Sequence, residues 1–168
     1  MSSTETSETV APKSETVDGP QGYPFPAAEE GLLPWEWAAE RLAQARHFWL
    51  ATVRPDGRPH VAPLWGVWVG NAMYFDGYPS TRWGRNLAAN PVASIHLEHG
   101  DEVVIAEGTA TFERVEPDLA AAMIADWTKK YGRLEPEPDT RGIYEFRPTS
   151  VRGWSNEMLG DGTRWRFG

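Results

Sequence analysis

The chain has 168 residues, a formal net charge of −8 and no cysteine. That length favours one domain, and the missing cysteine excludes disulfides, thiolate nucleophiles and Cys-ligated metal or iron–sulfur sites. The acidic balance argues against general nucleic-acid binding, which needs a broad positive surface. No apolar run is long enough to span a bilayer and the N-terminus lacks a basic-then-apolar leader, so a cytoplasmic protein without a membrane partner is expected.

Residues 1–30 are rich in Ser, Thr, Glu and Pro and carry six acids against the single base Lys13. Such a stretch buries too little surface to offset its ordering entropy and is expected to be a disordered acidic tail. The folded domain is then 31–168. Pro34 suits the first position of a helix, and the spacing of Trp35, Ala39 and Leu42 predicts that helix over 34–46. His47 to Arg54 is a β-favouring run, Pro55-Asp56-Gly57 is a turn, and 58–69 returns as a long strand. Gly70-Asn71 turns into a third strand from Ala72 to Phe75, so the three runs read as an antiparallel meander. Pro63 inside its strand implies an edge, a bulge or a bend.

Residues 80–89 read as a helix, 91–98 as a strand, and 102–115 as a long strand. In the last of these Ala106, Gly108 and Ala110 share one face, which indicates a close approach of something bulky. Pro117 begins a helix with Leu119, Met123 and Trp127 on one stripe, Lys129 and Lys130 at its dipole-favoured end, and Gly132 as its stop. After a Pro- and acid-rich loop, Ile143 to Val151 is a last strand, followed by a tail ending Thr163-Arg164-Trp165-Arg166-Phe167. Together these elements predict a mainly β (α+β) domain, a small closed or half-closed barrel of about six antiparallel strands with two to three flanking helices. Nine Trp is many for this length. Most should fill the core, while two or three line a site or a subunit interface.

The segment with the most chemistry is Gly77-Tyr78-Pro79-Ser80-Thr81-Arg82-Trp83-Gly84-Arg85-Asn86-Leu87. Ser80 or Thr81 can cap the helix, whose first amides and dipole then favour an anion. Arg82 and Arg85, three apart, can share a face and clamp a phosphate, or can be two ordinary arginines on a solvated helix face. His60 is either a pocket hydrogen-bond donor or a surface residue beside the turn. His96 and His99, three apart on a strand, tend to face opposite sides and make a poor metal pair. No Ser–His–acid pattern supports a hydrolase.

The order of these motifs resembles the pyridoxamine 5′-phosphate oxidase-like split-barrel superfamily. It runs Pro-Asp-Gly-Arg-Pro-His, Val-Ala-Pro-Leu-Trp, Ser-Thr-Arg-x-x-Arg-Asn-Leu-x-x-Asn-Pro, then Glu-Gly-x-Ala. With the terminal Thr-Arg-Trp-Arg-Phe, it is most similar to the flavin/deazaflavin oxidoreductase branch, over roughly residues 35–167. The resemblance implies a six-stranded split β-barrel that forms a homodimer and binds FMN or coenzyme F420 in a groove at the subunit interface. It implies hydride transfer between that cofactor and a small-molecule substrate such as a conjugated alkene or a quinone. It places Ser80, Thr81, Arg82 and Arg85 on the phosphate, and Val61, Ala62, Pro63, Leu64 and Trp65 behind the ring. Arg58 and His60 flank the ring or rim, and Trp165 either closes the pocket or packs in the core. Arg54 could join Arg58, Arg82 and Arg85 in a basic rim for the anionic tail of F420. Asn86 and Leu87 should hold the helix on the barrel. Many relatives carry Lys where this chain has Trp83. The same fold also hosts non-catalytic carriers of flavin, haem or tetrapyrrole, which is the alternative reading.

Overall fold

The computed structural model describes residues 11–17, 31–155 and 161–168. Nine strands and three helices follow one another as β1 (Lys13–Thr16), α1 (Trp35–Gln44), β2 (Phe48–Val53), β3 (Pro59–Leu64), β4 (Val67–Val69), β5 (Ala72–Phe75), α2 (Arg82–Ala89), β6 (Val92–His96), β7 (Glu102–Glu113), α3 (Pro117–Tyr131), β8 (Ile143–Ser155) and β9 (Thr163–Arg166). All described pairings are antiparallel, in the order β1-β9-β8-β7-β6-β2-β3, and β5 joins β8 to β4. The long β7 and β8 serve two groups of strands at once. One half of β8 pairs with β5 and the other with β9. This is the split-barrel arrangement, with more strands than the six expected.

Four expectations change. Lys13–Thr16 is a strand on β9, held by Glu15 to Arg166 at 2.5 Å and to Arg164 at 3.5 Å, so this part of the expected disordered tail is ordered by pairing. The rest of that tail lies outside the described residues, apart from positions 11, 12 and 17. Thr163–Arg166 is itself a strand. The helix expected at 34–46 spans Trp35–Gln44, with Pro34 at the cap position in extended conformation. The long strand expected over 58–69 breaks at Trp65-Gly66. A side chain at Gly66 would lie 2.7 Å from both a Phe48 ring carbon and the Tyr74 carbonyl. The meander is therefore two hairpins, β2–β3 and β4–β5.

Pro63 lies in β3, the last strand of the path, as an edge position requires. Gly108 marks a register irregularity in β7, where a Cβ would meet the Arg147 carbonyl at 2.0 Å. The bulky neighbour expected at Ala106-Gly108-Ala110 is thus backbone at that glycine.

The core has two parts. The larger gathers Phe48, Leu50, Ile95, Phe146 and Trp165 of the sheet with Trp35 and Leu42 of α1 and Trp83 and Leu87 of α2. The smaller packs Met123, Trp127 and Tyr131 of α3 against Val67, Tyr74 and Ile143. The α3 stripe ends at Gly132, whose φ of 67° is the left-handed stop that glycine adopts without strain. No helix among the described residues is long and apolar enough to cross a membrane.

Candidate anion site at the start of α2

Thr81 caps α2, its hydroxyl accepting the Gly84 amide at 3.0 Å. The preceding first-turn amides have no acceptor inside the helix, which leaves a positive end. The side chain of Asn86, 3% exposed, fixes this end on the sheet. Its amide donates to the Thr52 hydroxyl at 2.9 Å, and that hydroxyl donates to the His60 carbonyl at 3.4 Å. Leu87 is buried beside it. The expected holding role of Asn86 and Leu87 is therefore visible as contacts.

Trp83 belongs to the core. Its ring packs edge-on against Phe75 at 5.6 Å and Tyr144 at 4.8 Å. A Cβ on Gly77 would lie 2.4 Å from it. The side chain at this departure from Lys thus points inward into the core.

Across from the helix start stands His60, paired with Thr52 in the β2–β3 ladder. Burial, then the charges of Arg54 and Arg82, hold the His60 imidazole below its ordinary pKa of 6.5. Two cations from different elements, β2's end and α2's first residue, therefore act on one imidazole. The Nε of Arg54 and the Nδ1 of His60 are buried without a hydrogen-bond partner. A buried guanidinium N–H without a partner is costly, and an anion beside Arg54 would satisfy it, and would also accept from the His60 ring nitrogen in the tautomer that carries a proton there.

The other expected site residues separate. Arg58 is exposed and folds back on Asp56 at 2.6 Å in its own turn, so its charge is compensated there. Arg85 donates to the Ser80 carbonyl and closes the loop before its own helix. Val61 and Pro63 occupy the outer face of β3, while Ala62 and Leu64 face inward opposite Leu50 and Phe48. Trp65 leaves the sheet and stacks on Tyr131 at 4.6 Å and 3° beneath α3. Residues 61–65 are therefore not one wall. Trp165 is fully buried and meets Trp35 edge-on at 5.7 Å, so of its two expected places it takes the core. The structure gathers Ser80, Thr81, Arg82 and His60 at one place and adds Arg54 to them. From sequence, Arg54 falls on a basic rim and, with Arg58, is the next candidate for the phosphate clamp. Its signal was its position at the end of a strand, directly before the turn.

The outer face of these strands is apolar and, among the described residues, exposed. Val53, Val61 and Val92 are 43%, 50% and 59% exposed. A concavity of about 520 Å³ lies there, lined by Ala51, Val53, Pro59, Val92, Ser94 and Thr109 among others.

Residues 35–155 match the family model for pyridoxamine 5′-phosphate oxidase, and the chain belongs to that family. Among solved structures it is similar to a conserved hypothetical protein of Mycobacterium tuberculosis, at 21% identity and a TM-score of 0.62, covering 77% of this chain and 89% of that one. It is similar to an F420 reductase at 27% identity and a TM-score of 0.51, covering 79% and 98%. A pyridoxamine 5′-phosphate oxidase-related, FMN-binding protein of Nostoc punctiforme matches at 20% identity and a TM-score of 0.52, covering 76% and 82%. No curated protein matches the chain.

Proposed function

We propose that the chain is an oxidoreductase whose redox cofactor, F420 or FMN, docks its phosphate at the start of α2 between Arg82 and Arg54. The observation that carries this reading is the pair of unpartnered buried nitrogens, Arg54 Nε and His60 Nδ1, facing a capped helix N-terminus that bears Arg82. These donors suit a phosphate, whose oxygens take charge-assisted bonds from guanidinium groups and helix amides. The cofactor ring lies along the outer face of β3 at Val61 and Pro63, with the phosphate end of the cofactor at His60. When bound, the cofactor supplies the hydride chemistry, while the chain binds, orients and desolvates it. A second copy of the chain covers the apolar outer face and completes the groove, since an exposed patch of this kind marks an interface.

Titrating the purified protein with FMN and with F420 separately, by fluorescence, tests the reading. Micromolar binding of either one with steady turnover on a quinone or an enone is expected. Binding without turnover would leave the carrier reading in its place, and binding of neither would overturn both.

A further inference from the structure

A second cavity, of about 440 Å³, lies apart from the α2 site, among α1's end, β4 and α3. Its apolar wall is Val67 and Trp68 of β4, with Ala43 of α1. Its polar wall is Arg46, Lys129 and Lys130, opposed by one acid, Asp126. The volume falls in the range of small-molecule pockets, and an apolar wall facing a few convergent polar groups is their usual lining.

Lys130 is fixed rather than waving in solvent. Its ammonium donates to the Ala45 and Gly66 carbonyls, each at 3.0 Å, which uses two of its three N–H bonds. Its neighbour Tyr131 braces the same corner through Arg46 and Gly66 at 2.9 and 3.0 Å. Arg46 in turn donates to the Lys130 carbonyl. Lys130 and Arg46 are thus positioned by backbone contacts before any ligand arrives, while Lys129 is exposed on the helix beside them. Burial, and to a smaller degree Arg46, push the Lys130 amine down to about 8 against the opposing pull of Asp126. The lining sets three cations, Arg46, Lys129 and Lys130, against the single acid Asp126, so its formal charge is positive and suits an anion.

We propose that this cavity is a binding site for a small amphipathic anion, a phosphate or carboxylate on a flat apolar body. The body lies on Trp68 and Val67, and the anionic group meets Lys129 and the remaining N–H of Lys130. Arg46 adds long-range attraction. One charged group and one ring fill the space, whereas a bare inorganic ion leaves the apolar wall uncovered.

The test uses the full chain, ¹⁵N-labelled, titrated with phenyl phosphate, inorganic phosphate and benzyl alcohol in turn. Phenyl phosphate is expected to shift the Trp68 indole and the Lys129 and Lys130 amides at millimolar concentration. Inorganic phosphate is expected to bind more weakly and benzyl alcohol not at all. Lys129→Glu, an exposed helix position, should keep the fold and weaken phenyl phosphate by about fivefold or more, equivalent to roughly 1 kcal/mol. Three results would overturn the proposal: no shift at Trp68 and Lys130, equal binding of benzyl alcohol, or unchanged affinity in Lys129→Glu. Shifts confined to Arg54, His60 and Arg82 would also overturn it, because they would assign the anion to the α2 site alone.

Discussion

Replacing Arg82 by Ala tests the α2 site through two independent readouts. Arg82 is exposed, so truncation costs the fold about 0.5 kcal/mol or less. Its charge is one of the three causes that hold the His60 imidazole below 6.5, after burial and Arg54. Removing it should return His60 part of the way upward, with burial and Arg54 still acting. If Arg82 also bonds the phosphate, losing one charge-assisted bond costs roughly 1.5–3 kcal/mol, about a tenfold to hundredfold rise in Kd. Arg85→Ala should do less to affinity, because the Arg85 guanidinium is committed to the Ser80 carbonyl. The sign with pH follows from the same group. A depressed imidazole contributes stability that is present above its unfolded pKa and lost as pH falls through its lower folded value. An anion bound beside it favours the protonated form, so anion affinity should increase as pH falls toward the lowered His60 pKa. Proton NMR of the His60 ring, with and without FMN or F420, measures the titration, and fluorescence quenching measures the affinity. An unmoved His60 titration together with unchanged affinity in Arg82→Ala would refute the assignment.

Asn86→Ala should destabilise the chain by about 1–3 kcal/mol, because it strips the Thr52 hydroxyl of a buried partner; urea denaturation reads it. Gly108→Ala should cost on the order of 1–3 kcal/mol or more in the same assay, since the new methyl would have to displace the Arg147 carbonyl. Introducing Glu at both Val61 and Val92 should turn a dimer into a monomer by light scattering without unfolding it, because both side chains are already half exposed. A monomer in the unaltered protein would end the interface proposal.

Much of the fold was legible because periodicity and turn residues agree locally. The Pro55-Asp56-Gly57 turn, the α3 stripe closed by Gly132 and the Thr81 cap all emerge as the residues suggest. What escaped was non-local. Nothing around Lys13–Thr16 announces a strand, since its partner β9 lies some 150 residues away and supplies the pairing. The break at Gly66 depends on Phe48 and Tyr74 crowding it from two other strands. At the site, the capped helix start was readable from Ser80-Thr81-Arg82. Which of the four arginines find a hydrogen-bond acceptor in their own turn depends on side-chain packing. Arg58 and Arg85 find hydrogen-bond acceptors within their own turns, whereas Arg54, close enough to Asp56 to lower its pKa, leaves its Nε without an acceptor beside His60. Trp65 and Trp165 were drawn into the packing beneath α3 and into the main core by large apolar areas that a linear motif does not reveal.

The two prolines of β3 restrict how copies of this chain can meet. The Arg54 amide bonds the Arg58 carbonyl at 2.9 Å, so pairs alternate from there along the hairpin. His60, Ala62 and Leu64 direct their backbone groups to β2, and Pro59, Val61 and Pro63 direct theirs outward. The outward row therefore offers three carbonyls but a single N–H, that of Val61. Two such rows brought side by side could share at most the Val61 pair, because the Pro59 and Pro63 carbonyls would face prolines that have no N–H to donate. β3 edges of two copies cannot zip into a continuous sheet, and association is left to the side-chain face of the strands.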